Sequence, residues 1–141
     1  MISGIVSKKK LSIRLAVSVV AISTLAACVT KPIYNVDNQS FATSAVLPLN
    51  TVKDEIKMIG ANRGWIFEDV KPGHMIGKVG TTKHNARVNL NYTETKFSIS
   101  YLDSYNLKAN NGIIHHRYNR WIELLERDLV TKLGLAVEKA K

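Results

Sequence analysis

The run "NARVNLNY", Asn85 to Tyr92, alternates apolar and polar residues without a break. Ala86, Val88, Leu90 and Tyr92 face one way, and Asn85, Arg87, Asn89 and Asn91 the other. Successive strand residues point to opposite faces, so this period of two predicts a strand with one buried and one solvated face. A short polar loop, "TETK", leads to "FSISY", where Phe97, Ile99 and Tyr101 alternate again. With Thr93 to Lys96 as the loop, Tyr92 faces Phe97, Leu90 faces Ile99 and Val88 faces Tyr101. "HMIGKVG" supplies the preceding strand. With Thr81 to His84 as its loop, Val79 faces Ala86, Gly77 faces Val88 and Met75 faces Leu90. A one-residue slip would mix these apolar sets with Asn and Ser, so the register is specified. A further strand is expected in "GWIFEDV". Pro72-Gly73 then forms the turn, Pro presetting φ and Gly accepting the positive φ of a type II turn. Which face of that strand is buried stays ambiguous, because Trp65, Ile66, Phe67 and Val70 do not alternate cleanly.

On either side the period becomes helical. In "TVKDEIKMIGA", Val52, Ile56 and Ile59 form one apolar stripe. Thr51 is the expected cap, with Asp54 three residues on and Asp54 and Glu55 suited to the helix N-terminal dipole. Gly60 and Gly64 bracket the end of the helix. Near the C-terminus, Tyr118, Trp121, Ile122, Leu125, Leu129 and Leu133 recur at three- and four-residue steps, and Gly134 is the expected stop. The fold class that follows is α+β: an antiparallel four-stranded meander with two helices packed on one face, in the order α-β-β-β-β-α. The opposite face, with Asn85, Arg87, Asn89, Asn91, Ser98 and Ser100, is solvated.

The N-terminus carries targeting information. Lys8, Lys9 and Lys10 precede an apolar run that is short for a membrane span and ends in small residues, which reads as a secretory signal. The run closes at Leu25-Ala26-Ala27-Cys28, a pattern that resembles a bacterial lipobox. The resemblance implies cleavage before Cys28, thioether-linked diacylglycerol on its sulfur and acylation of the new amino group. Val29 at the next position, rather than Asp, implies outer-membrane sorting by resemblance to enterobacterial lipoproteins. The expected organisation is a signal peptide over 1–27, a flexible tether over 28–45, one domain over 46–135 and a C-terminal tail over 136–141. The tether is expected because 29–45 is polar and without a period.

These boundaries correct the charge. The signal holds four of the twenty basic residues and none of the eleven acids, so the mature chain carries a formal +5 rather than +9. That favours anionic surfaces weakly and names no partner. The only cysteine is consumed by lipid, so no disulfide and no thiolate-bound metal is expected.

"IIHHRYNRW", Ile113 to Trp121, is the richest stretch chemically. A helical metal site places histidines at i and i+4, whereas His115 and His116 are adjacent and diverge. No acidic cluster accompanies them, and no metal or other cofactor is expected. Arg117, Arg120 and the aromatics look like a nucleic-acid strip. Tyr118 and Trp121, however, belong to the stripe of Ile122 and Leu125, so core packing claims them and no nucleic-acid partner is expected. The histidines are expected to serve the junction between loop and helix. Asp103, Ser104 and either histidine contain the residue types of a hydrolase triad, but no nucleophile elbow or glycine-rich oxyanion loop accompanies them. A non-enzymatic protein is the expectation.

The segments "GW…KPG.I", "A.V.L.Y", "FSISYLDSYNLK" and "I…YNRWI..L" together resemble a family of small proteobacterial lipoproteins with no established activity. The likeness covers roughly residues 60–130. It implies an envelope location and a single domain. It directs attention to "YLDSYNL" and "YNRWI", from which Asp103, Ser104, Tyr105, Asn106 and Asn119 are taken as the candidate binding surface. His116-Arg117 departs from the proline expected before the "YN" pair, which blurs the helix start. Two functions are then open: an outer-membrane lipoprotein facing the periplasm that docks an envelope protein or supports envelope assembly, or a binder of small ligands or glycans. A large exposed apolar patch would favour the first, and a concave polar pocket with aromatics the second.

Overall fold

A computed structural model describes residues 29–141. The expected signal peptide over 1–27 and the expected lipidation at Cys28 lie outside the described residues. The elements are β1 (Thr30–Pro32), β2 (Val36–Ser40), α1 (Leu49–Ala61), β3 (Ile66–Lys71), β4 (His74–Gly80), β5 (Asn85–Tyr92), β6 (Lys96–Tyr105), β7 (Ile113–His115) and α2 (His116–Lys139). The fold is α+β. Its main sheet has five antiparallel strands in the order β2-β6-β5-β4-β3, and β1 and β7 make a separate pair.

The centre of the sheet follows the expected register. Tyr92 pairs with Phe97, Leu90 with Ile99 and Val88 with Tyr101; Val79 pairs with Ala86, Gly77 with Val88 and Met75 with Leu90. Ala86, Val88, Leu90 and Ile99 are fully buried, while Arg87 and Asn91 are exposed. One core lies between this face and the helices, with Val52, Ile56 and Ile59 from α1 and Tyr118, Ile122, Leu125, Leu129 and Leu133 from α2. Pro72-Gly73 forms the two-residue turn between β3 and β4, with Gly73 at φ 83°.

The ambiguous strand β3 buries Trp65 and Phe67 beside it and leaves Ile66 67% exposed. The reason lies in two glycines. A Cβ on Gly60 would sit 2.3 Å from the Phe67 ring, and one on Gly77 would sit 2.5 Å from it. Gly60 and Gly77 clear the space that the ring fills. Gly60 packs against this ring in the last turn of α1, and the helix ends at Ala61, between Gly60 and Gly64 as expected.

Four expectations need correction. First, the segment from 29 to 45 is not a tether. Its β1 pairs with β7 and its β2 adds a fifth strand beside β6, while Val36, Phe41 and Ala42 enter the core. The sheet hydrogen bonds and these apolar side chains hold a segment whose polar composition conceals it. Second, α1 is not capped by Thr51. It starts at Leu49 after Pro48, whose carbonyl accepts from the Val52 N–H at 3.1 Å, and no side chain among the described residues caps it. Third, Gly134 does not stop α2. Burial continues through Val137, so the helix runs to Lys139 and residues 136–139 belong to it instead of to a tail. Fourth, β6 extends to Tyr105 by admitting a bulge between the pairs Arg87–Asp103 and Val88–Tyr101. Trp121 is only half-buried against the core, whereas Tyr118 is wholly enclosed.

Candidate functional site

Three of the four candidate residues at 103–106 are committed to a neighbour. On the outer sheet face Arg87 donates from Nε to Asp103 Oδ1 at 2.9 Å and from Nη2 to Oδ2, a bidentate pair. The guanidinium holds the Asp103 carboxyl below the usual carboxylate range. Ser104 is the next residue along the strand and belongs to the other face, where its Oγ shares a hydrogen bond with the Tyr101 hydroxyl at 2.9 Å. Tyr105 is exposed at the end of β6. Asn106 turns the chain at φ 55° and donates from Nδ2 to the Lys83 carbonyl at 3.0 Å. Asn119 stands apart from this group: its Nδ2 donates to the Pro32 carbonyl at 2.8 Å and its Oδ1 accepts from the Tyr34 N–H at 3.0 Å. It fastens the N-terminal segment to α2.

That fastening recurs along the segment. The Tyr34 hydroxyl donates to Glu126 at 2.7 Å, which raises the phenol pKa because ionisation would break the bond. Asn35 Oδ1 accepts from the Tyr101 N–H at 2.9 Å. At the very start, the Val29 carbonyl accepts from the His116 N–H at 2.8 Å.

The two histidines occupy the junction between β7 and α2. His115 is the N-cap, and its Nδ1 accepts from the Arg117 N–H at 3.1 Å. This nitrogen must be unprotonated to accept. Desolvation first, and then the basic neighbours His116, Arg117, Lys108 and His84, push the His115 pKa down, which favours the capping form. The His116 ring stacks on His115 at 4.6 Å. A cavity of about 170 Å³ adjoins this cap, lined by His84, Asn106, Leu107, Lys108, His115 and Arg117. Among the described residues, no three His, Cys, Asp or Glu side chains gather as a metal site, and no hydrogen bond joins Asp103, Ser104 and the histidines.

At the other end of α2, a groove of about 440 Å³ runs between the helices. Leu47, Met58, Leu135 and Ala136 supply its apolar wall, and Glu55, Lys132 and Lys139 stand among its polar residues. Met58 is 56% exposed and Leu135 is 55% exposed, although both are large apolar side chains. Twenty residues of helix at about 1.5 Å each place Ala136 roughly 30 Å from His116, so this groove and the Val29 end lie at opposite poles of α2.

Sequence reasoning missed two features. The groove joins residues far apart in the chain, and no local pattern announces it. The ion pair between Arg63 and Asp128 did have a signal: Asp128 interrupts the apolar stripe between Leu125 and Leu129. Arg63 Nε donates to Asp128 Oδ2 at 2.6 Å, and this bond first, then the bond from Arg127, holds the carboxyl below its ordinary range.

No protein-family model, curated protein or solved structure matches this chain. Among the described residues, no helix is long and apolar enough to cross a membrane.

Proposed function

We propose that this chain is a non-enzymatic lipoprotein of the bacterial envelope, anchored through Cys28 in the outer membrane and facing the periplasm, where it docks a protein partner. The sequence Leu25 to Cys28 supports the anchor, and the resemblance to small proteobacterial lipoproteins agrees with it. The observation that carries docking is the exposed apolar groove between α1 and α2. Its distance from Val29 leaves it open to a partner in the periplasm. Exposed apolar surface of this kind is stabilised when a partner removes it from water, at about 25 cal/mol per Å². Lys132 and Lys139 against the single Glu55 suit an apolar segment flanked by acidic side chains.

Site-specific photocrosslinking in intact envelopes tests this. A photoreactive side chain placed at position 58 or at position 135 should give one shared protein adduct, absent when it is placed at position 89 on the polar sheet face. Leu135→Asp should abolish the adduct formed from position 58. Equal adducts from all three positions, or none from the groove, would refute docking at this site.

A further inference from the structure

We infer that the end of the domain around His84, Lys108, His115 and Arg117 is a membrane-facing surface that binds the phosphate of anionic phospholipid headgroups. The inference rests on the proposed anchor at Cys28. Three observations carry it. The first is connection. Residue 28 is followed at once by Val29, whose carbonyl is bonded to the His116 N–H, and Thr30 pairs with His115. With no tether between anchor and domain, the anchored chain must hold the start of α2 against the bilayer.

The second is charge. The cavity beside that junction is lined by His84, Lys108, His115 and Arg117 and by no acid. The groups that bear electrostatically on His115 are all basic. Lys31 on β1 and Lys83 in the β4–β5 loop are exposed cations of the neighbouring segments. A formal +5 is thus partly gathered at the end where an anionic surface would lie. Each Lys or Arg close to an anionic leaflet favours association by roughly fivefold.

The third is backbone cost. Lys108 holds φ 54°, a left-handed conformation that a lysine adopts only against its preference. Glycine would fit this position more easily, so Lys108→Gly separates the charge from the fold.

The test uses the mature chain purified from membranes, with its intact mass measured first. The chain is placed in bilayer nanodiscs carrying a spin-labelled headgroup, made of phosphatidylcholine alone or with about a quarter phosphatidylglycerol. Amide NMR signals of His84, Lys108, His115 and Arg117 should broaden more in the anionic discs, while those of Lys132 and Lys139 should not. The difference should vanish at about 0.5 M salt, where charges are screened within a few ångströms. It should also vanish in Lys108→Gly/Arg117→Gln, which should melt no lower than the parent. Broadening that ignores lipid charge, or that centres on Lys132 and Lys139, would overturn the inference. So would inorganic phosphate shifting the same signals as strongly in phosphatidylcholine discs, since it would assign the site to a soluble anion. A mass without lipid would defeat the anchor separately. The unlipidated chain would then be floated with the two kinds of vesicle: flotation specific to phosphatidylglycerol and lost in the double variant would support the surface, and no preference would overturn it.

Discussion

Replacing Tyr118 by phenylalanine should make this protein more stable. The Tyr118 ring is wholly buried and meets Tyr101 edge-on, with centroids 5.5 Å apart. Its hydroxyl is also buried, yet it has no hydrogen-bond partner among the described residues. The neighbouring Tyr101 hydroxyl is already engaged with Ser104. Burial pushes the Tyr118 phenol pKa above its ordinary range, in keeping with an unaided polar group in an apolar setting. Leaving a buried hydroxyl unsatisfied costs about 1–3 kcal/mol, whereas the edge-on ring contact survives in phenylalanine. Tyr118→Phe should therefore gain roughly 1 kcal/mol or more, about 4 °C in Tm for a domain of this size. Urea unfolding followed by circular dichroism would measure it, with an unchanged m-value showing that both variants lose the same surface. A loss of about 1 kcal/mol instead would mean that the hydroxyl is bonded, and the packing described around it would be wrong.

Three other substitutions test separate parts of the structure. Leu125→Ala should cost about 2–5 kcal/mol in the same unfolding assay, because Leu125 is fully buried and its removal leaves a cavity. Gly134→Ala should stabilise by roughly 0.5–1 kcal/mol: the position is interior to α2, and an added Cβ would meet only the Phe41 carbonyl at an ordinary 3.6 Å. For His115, whose folded pKa is depressed, stability is fully present above about pH 6.5. Below that, the unfolded chain takes up a proton that the folded one resists, so stability falls with falling pH. His115→Asn should keep a capping oxygen and flatten the slope below about pH 6.5, measured as Tm against pH. An unchanged slope would remove His115 from that titration.

Strands β5 and β6 were legible because Ala86 to Tyr92 and Phe97 to Tyr101 carry apolar residues at a period of two, and Met75, Gly77 and Val79 of β4 join the same face in the register that agrees. The fifth strand was hidden for a physical reason. An edge strand needs little apolar surface, and "VDNQS" offers only Val36 to the core. Its pairing is irregular between Val36 and Gln39, where Asn38 takes φ 46° and its N–H turns to Ser98 Oγ. Local signals also misplaced both helix ends. Thr51 has the chemistry of a cap, yet Pro48 already begins the turn, and Gly134 has the chemistry of a stop, yet Leu133 and Val137 bury on either side of it.

The candidate surface was legible only in pieces. Adjacent histidines at a loop-to-helix junction were expected, and His115 does cap α2. Asp103 to Asn106 stood out by residue type, but type does not reveal that Arg87, Tyr101 and Lys83 already engage three of them. Asn119 lies elsewhere because helical residues are placed by the stripe they share, and that stripe carries it to Pro32 and Tyr34. The groove and the basic end are products of tertiary folding. They emerge only when distant segments meet at the two poles of α2.

The central claim is that this domain joins a lipid anchor at Cys28 directly, without an intervening tether. Intact mass spectrometry of the chain purified from bacterial membranes tests the anchor most directly. The account predicts a chain beginning at Cys28, heavier than its peptide by a thioether-linked diacylglycerol and one amide-linked acyl group. A mature N-terminus elsewhere, or Cys28 recovered as a free thiol, would contradict it.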